Sequence, residues 1–115
     1  MAAAGAEAIN VLASAILNSA RRFIIERLDA LAIPAVHQWP ETAEEGGLMG
    51  YGPRFTLCLH HVALLLDKIL RGSKPVDLPI EQPTVFTLAI NLKTAKVLSL
   101  PVPPALLLRA DAVIE

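Results

Sequence analysis

Few residues in this sequence carry chemistry, and each has a plain structural reading beside the functional one. Cys58, His60 and His61 crowd together. On a helix Cys58 and His61 share a face while His60 points away. His37 is the only further imidazole, and a structural zinc asks for four ligands. A small buried thiol beside two partly exposed imidazoles accounts for the trio, so no metal and no resident cofactor are expected. A Cys–His nucleophile pair would also lack a group to orient its base. Gly46, Gly47, Gly50 and Gly52 could cradle a phosphate if they led from a strand into a helix with a lysine following. They lie before and within a strand instead, so backbone turns explain them. Glu41, Glu44 and Glu45 are neighbours on one short helix, not opposed across a cleft. They read as a solvated acidic first turn that suits the helix dipole. No catalytic residue stands out. Trp39 and Tyr51, the only Trp and Tyr, can pack in a core or face a ligand. Ser14 offers a hydroxyl just past a strand.

Composition narrows the partners. The 115 residues suffice for one core, and 54% are apolar against 18% charged, with a net charge of −1. Mean hydropathy is +0.52, which argues against disorder. The charges are mixed in sign with no basic stripe, so a nucleic-acid partner finds no electrostatic footprint. One cysteine excludes an internal disulfide. The longest uncharged runs, 8–20, 55–66 and 97–108, are broken by polar residues, histidines or prolines, and all fall short of a membrane span. The small residues Ala13, Ser14 and Ala15 resemble a cleavage site, but no Lys or Arg precedes them and Glu7 interrupts. Expressed as it stands, the chain is expected in the cytoplasm.

The positioning elements follow from periodicity and punctuation. Residues 8–13 (AINVLA) read as a buried strand. Ser14 is an N-cap candidate for a helix over 16–31, with Arg22–Glu26 as an i,i+4 pair. Pro34 stops it. Residues 34–38 and the glycine-punctuated 47–51 read as strands, with a short helix opened by Pro40 between them. Residues 55–71 form the longest helix, ended by Gly72. Residues 73–83 are a proline-rich crossing. A strand over 84–90 leads into a helix capped by Asn91 and running to Leu98. Pro104 opens a last helical stretch toward Ile114.

Strands alternating with helices predict a mostly parallel α/β sheet with helices on its faces. Ligands of such sheets lie beyond the carboxyl ends of the strands, which selects Ser14, residues 37–41 and residues 51–53. The 55–71 helix is apolar around most of its circumference, with Leu57, Leu64 and Leu65 off the main stripe. In so short a chain something outside it is expected to bury the second side. A self-associating interaction domain built on this helix, and a small α/β enzyme using Glu41 or His37 as acid or base, are the readings that the residues alone leave beside a binding module.

Three ordered blocks carry a resemblance: residues 44–53 (EEGGLMGYGP), 67–84 (DKILRGSKPVDLPIEQPT) and 89–96 (AINLKTAK), followed by the ending 107–115 (LLRADAVIE). Together they resemble the ABC transporter substrate-binding protein family, the branch with a type 1 periplasmic-binding-protein-like fold associated with uptake of aromatic amino acids and related solutes. The helix from Phe55 departs from the family in being more apolar.

The resemblance implies a partial, Rossmann-like α/β architecture corresponding to the C-terminal third of a two-lobed protein. Residues 1–7 would be a tail and 8–45 a segment of the second lobe. Residues 46–78 would return to the first lobe, and 79–115 would cross back. It implies a binding protein with no catalysis, closing on a small solute such as an aromatic amino acid and delivering it to an ABC permease. Its full-length members are periplasmic or membrane-associated. The N-terminal lobe region would be a partner of this chain. Carried onto this sequence, the ligand contacts are Ser14, Trp39, Glu41 and Tyr51, the hydroxyl and carboxylate holding polar groups and the rings holding a side chain.

Overall fold

The computed structural model describes residues 5–115. In chain order the elements are β1 (Ile9–Val11), α1 (Ala15–Ser19), α2 (Arg21–Ala30), β2 (Ala35–His37), α3 (Glu41–Glu44), β3 (Met49–Gly52), α4 (Phe55–Leu70), a 3-10 turn (Pro75–Asp77), β4 (Thr87–Asn91), α5 (Leu92–Val97), α6 (Pro104–Leu107) and β5 (Ala112–Ile114). The five strands form one sheet in the order β1-β2-β3-β4-β5. All neighbours are parallel except β3 and β4, which run antiparallel with Gly52 opposite Thr87. Residues 53–86 therefore leave the sheet and return to it at the same edge. The α/β class and the mostly parallel sheet are as the strand–helix alternation predicts.

Helices cover one face of that sheet. Pleating places Ile9, Val11, Ala35, His37, Gly50, Gly52, Ala89 and Asn91 on it, because successive side chains alternate and these residues are register partners or two apart. Leu28 of α2 packs there with Ile33 and Ala35, joined by Ile9, Val11 and Ile24. Asn91 Nδ2 donates to Ala43 O of α3 at 2.8 Å, and Thr94 Oγ1 of α5 to Gly46 O at 2.8 Å. On the opposite face Ile90, the register partner of Met49 and Val113, is fully buried, while Val36, Tyr51 and Val113 are 37%, 55% and 40% exposed, so that face is covered only in part.

Local differences have local causes. The single helix expected over 16–31 is broken at Ala20, whose ψ of 7° leaves the helical range. There the Arg21 guanidinium donates to Asn18 O at 3.1 Å and takes up a carbonyl of α1's last turn. β4 starts at Thr87, leaving Phe86 just outside, because β3 ends at Gly52 and offers no ladder partner for residues before Thr87. The last helix is four residues long, and the chain then turns into β5. Asp111 directs that turn: its N–H donates to Leu88 O at 2.9 Å, and its Oδ2 accepts from Leu88 N at 2.8 Å. Asn91 caps α5 as expected, accepting from Thr94 N at 3.1 Å.

The molecule exposes more surface than its mass requires. Its accessible area is 8089 Å² for 12.3 kDa, where roughly 6,100 Å² suits a folded monomer of that mass. Its radius of gyration is 17.2 Å, against roughly 13 Å for such a length. The cause is the arm of residues 53–86: α4 has no buried residue over its whole length.

Candidate functional site

The carboxyl ends of β1, β2 and β3 lie along one edge, followed by residues 12–14, 38–41 and 53–54. Three of the four expected ligand residues sit in the first two of these loops.

Ser14 is exposed and extended (φ −156°, ψ 139°) at the N-cap position of α1. Its carbonyl accepts from Asn18 N at 2.9 Å, while its hydroxyl makes no capping bond. Trp39 is half-buried in a turn that Thr42 ties down, donating from its N–H (3.1 Å) and hydroxyl (2.6 Å) to Trp39 O. The indole stands edge-on to Phe55, with centroids 5.1 Å apart and planes at 77°. This turn lies against the backbone of β3. A Cβ at Gly50 would sit 2.5 Å from Trp39 O, and one at Gly52 would collide with Gln38 O. The glycines expected to serve turns thus serve a close backbone crossing.

The acidic helix is not the solvated turn its spacing suggests. Glu41 Oε1 accepts the N–H of Phe55, the first residue of α4, at 2.9 Å, and its Oε2 is buried with no partner among the described residues. Glu44 pairs with Arg54 at 2.8 Å. Glu45 takes Arg21 in a bidentate pair at 2.7 and 2.9 Å, and that hydrogen bond raises the Arg21 pKa against a smaller opposing effect of burial. Glu41 and Glu44 tie α3 to the start of α4, and Glu45, just past α3, ties it to α2, which no short-range pattern reveals.

Tyr51 stands apart. Its neighbours in β3, Gly50 and Gly52, face the Gln38–Trp39 turn, so pleating turns Tyr51 to the bare side. There it lies against Phe86, centroids 5.8 Å apart and rings tilted by 33°. The structure brings Trp39 and Glu41 together, leaves Ser14 on the adjacent loop, and puts the sheet between these and Tyr51.

Between the first two loops runs a crevice of about 10 Å³, lined by Leu17, Arg21, His37, Trp39 and Thr42 among others, room for about one water. His37 is the residue that the alternative enzyme reading offered as an acid or base. It is 3% exposed, and burial lowers its pKa below the ordinary 6.5. A larger cavity of about 510 Å³ lies along the arm, between α4 and residues 81–85. Leu57, Cys58, Val62 and Leu65 wall it, and His61 Nδ1 is 3.5 Å from Glu81 Oε2. Among the described residues no three His, Cys, Asp or Glu side chains are grouped to hold a metal, and no helix is long and apolar enough to cross a membrane.

The mostly parallel five-stranded α/β sheet is that of the periplasmic-binding-protein-like domains among solved structures. The chain is a member of the ABC transporter substrate binding protein family, whose family model matches residues 1–114. It is similar to a conserved domain protein from Vibrio cholerae, with a TM-score of 0.83 and 23% identity over 93% of this chain and 36% of that one. It is also similar to an ABC domain from Streptococcus pneumonia in complex with L-Trp (TM-score 0.81, 23% identity, 94% of this chain and 38% of that one). The ligand-free, open structure of a substrate binding protein with adhesive properties from Clostridium difficile matches less closely, with a TM-score of 0.54, 18% identity, and 91% and 35% covered. No curated protein matches the chain. The chain spans little more than a third of the length of the solved structures it resembles.

Proposed function

We propose that this chain forms part of a two-lobed receptor that takes an aromatic amino acid into the cleft between its lobes and presents it to an ABC permease. The observation that carries the reading is the Trp39–Glu41 turn, held rigidly at the carboxyl edge of the parallel strands beside Ser14. The tryptophan bound by the Streptococcus neighbour supports the ligand class. Ser14, Trp39 and Glu41 are the proposed contacts of the solute, and Tyr51, on the other side of the sheet, is left out of the set. In this reading residues 8–52, with β3 in the same sheet as β2 and β4, and residues 87–115 belong to the second lobe, so the first-lobe segment expected over 46–78 is drawn instead as residues 53–86, with the crossings at its two ends. A first-lobe region covers α4, closure is a hinge motion, and the whole receptor works in the periplasm or at a membrane surface.

A cleft gains affinity by enclosing its ligand from both sides, and this chain supplies part of each wall. Calorimetric titration with L-Trp is expected to give a Kd no tighter than roughly millimolar, about −4 kcal/mol, for the 115-residue chain. Fusion to a family N-terminal region is expected to tighten it, and Trp39→Ala in the fusion to weaken binding by about 1–3 kcal/mol. Submicromolar binding by the chain alone, or an unchanged Kd in the fused variant, overturns the reading.

Self-association is a second reading, favoured by one observation: Leu57, Leu59, Val62, Leu64 and Leu66 of α4 are all half-exposed or more. Sedimentation of the chain with and without the fused region separates the two. A dimer that persists in the fusion favours an interaction module.

A further inference from the structure

The arm of residues 53–86 meets the sheet at two roots, and four of the chain's five aromatic residues sit there. Trp39 packs on Phe55 where the arm departs, and Tyr51 on Phe86 where it returns. The departing root carries more. Within two residues of chain, Arg54 pairs with Glu44, the Phe55 ring meets Trp39, and the Phe55 N–H is accepted by Glu41 at 2.9 Å. These contacts are unequal. The Glu44–Arg54 pair is solvent-exposed and contributes little. The Glu41 bond joins an ionised acceptor to a backbone donor, the stronger kind of hydrogen bond, and it falls on one of the N–H groups that no helix satisfies internally. The other carboxylate oxygen is buried, with no partner among the described residues.

The geometry points to Glu41 as a positioning residue, a latch that joins the β2–α3 turn to the first turn of α4 so that turn and arm move as one body. Gly50 and Gly52 let the turn lie directly on β3, so the latch ties the arm to the sheet and not to a free loop. An event at the turn is thereby felt along α4, and bending between sheet and arm falls to other points, such as the proline-bearing return through Pro79 and Pro83. The inference stands on this geometry whichever solute the protein takes.

Spin labels at Lys68→Cys on α4 and Lys93→Cys on α5, in a Cys58→Ser background of the full 115-residue chain, read the arm–sheet distance. One narrow distribution is expected for the latched chain. Glu41→Ala is expected to add a second, broad population, the unlatched fraction rising about tenfold, as loss of a hydrogen bond to a charged group implies. Glu41→Gln keeps an acceptor for the Phe55 N–H and is expected to restore the narrow distribution. Phe55→Pro removes the donor while suiting the first position of a helix. It also removes the ring contact with Trp39, which Phe55→Leu removes alone; the distribution is expected to be broader in Phe55→Pro than in Phe55→Leu, and adding Glu41→Ala to Phe55→Pro is expected to change nothing further, because the hydrogen bond is already gone. Circular dichroism is expected to show unchanged helix content, which a residue that merely stabilised α4 would not leave intact. An unbroadened Glu41→Ala, a Glu41→Gln as broad as the alanine, or additive effects in the double variant would each overturn the latch. If Glu41→Ala does not fold, Phe55→Pro against Phe55→Leu decides: broadening beyond that of Phe55→Leu supports the latch and an equal distribution refutes it.

Discussion

The sheet with its covering helices and the arm of residues 53–86 are both rich in apolar residues and meet opposite fates. In the sheet body Ala43, Ala89 and Ile90 are wholly buried, and even Thr42, Asn91 and Thr94 are sealed from solvent with hydrogen bonds to backbone. In the arm, sixteen helical residues include none that is buried. Burial in the body comes from small residues that let elements touch, such as Gly50 and Gly52 beneath the Gln38–Trp39 turn. The arm has large side chains and nothing to set them against. Apolar content alone does not make a core; it makes one only where another element meets it, and elsewhere it marks a surface for a partner.

Substitutions can break this contrast. The largest effect is expected at Ile90, the bulkiest fully buried side chain. Ile90→Ala is expected to cost about 2–5 kcal/mol by cavity formation, measured as a shifted urea midpoint. Leu70→Ala, at a residue 77% exposed on the arm, is expected to stay within about 0.5 kcal/mol. Equal losses would mean that the arm is packed in solution. Next comes Gly52→Ala. Its new methyl meets the backbone of Gln38, which cannot swing aside as a side chain would, so a loss of about 1–3 kcal/mol is expected.

The smallest effect sharpens the contrast by pH. Burial lowers the His37 pKa below 6.5 in the folded protein, so the unfolded chain takes up a proton that the folded chain refuses. The stability this represents is complete above the unfolded pKa near 6.5 and is lost as pH falls through that value toward the lower folded one. Urea midpoints below pH 6.5 are expected to fall less in His37→Gln than in the wild type. A parallel decline in both would place the sensitivity elsewhere.

How much of this was legible in the residues follows from the range of each signal. The α4 boundaries, the stop at Gly72, the Asn91 cap and the small strand β3 are written in a few adjacent positions, because caps, glycines and prolines act through the backbone within one turn. The family, too, was legible in three contiguous blocks. β5 was not, since Ala112–Ile114 is too short for periodicity and exists because Asp111 meets Leu88, far away in the chain. Nor was the use of Glu41, Glu44 and Glu45, whose partners Phe55, Arg54 and Arg21 lie 14, 10 and 24 residues away.

The side of the sheet that Tyr51 faces shows the division most plainly. Sequence by itself determined that residues 47–51 are a strand and that Gly50 and Tyr51 point to opposite sides, because pleating has a period of two; that the strand runs on through Gly52 is seen only in the structure. Which side is which was decided only when the Gln38–Trp39 turn came down on β3. A backbone crossing that close admits glycine and nothing larger, so Gly52 must face the turn and Tyr51 the bare side. The same holds for α4. Its helicity is local, but whether its leucines are core or surface depends on what packs against them, and that is a property of the assembled structure.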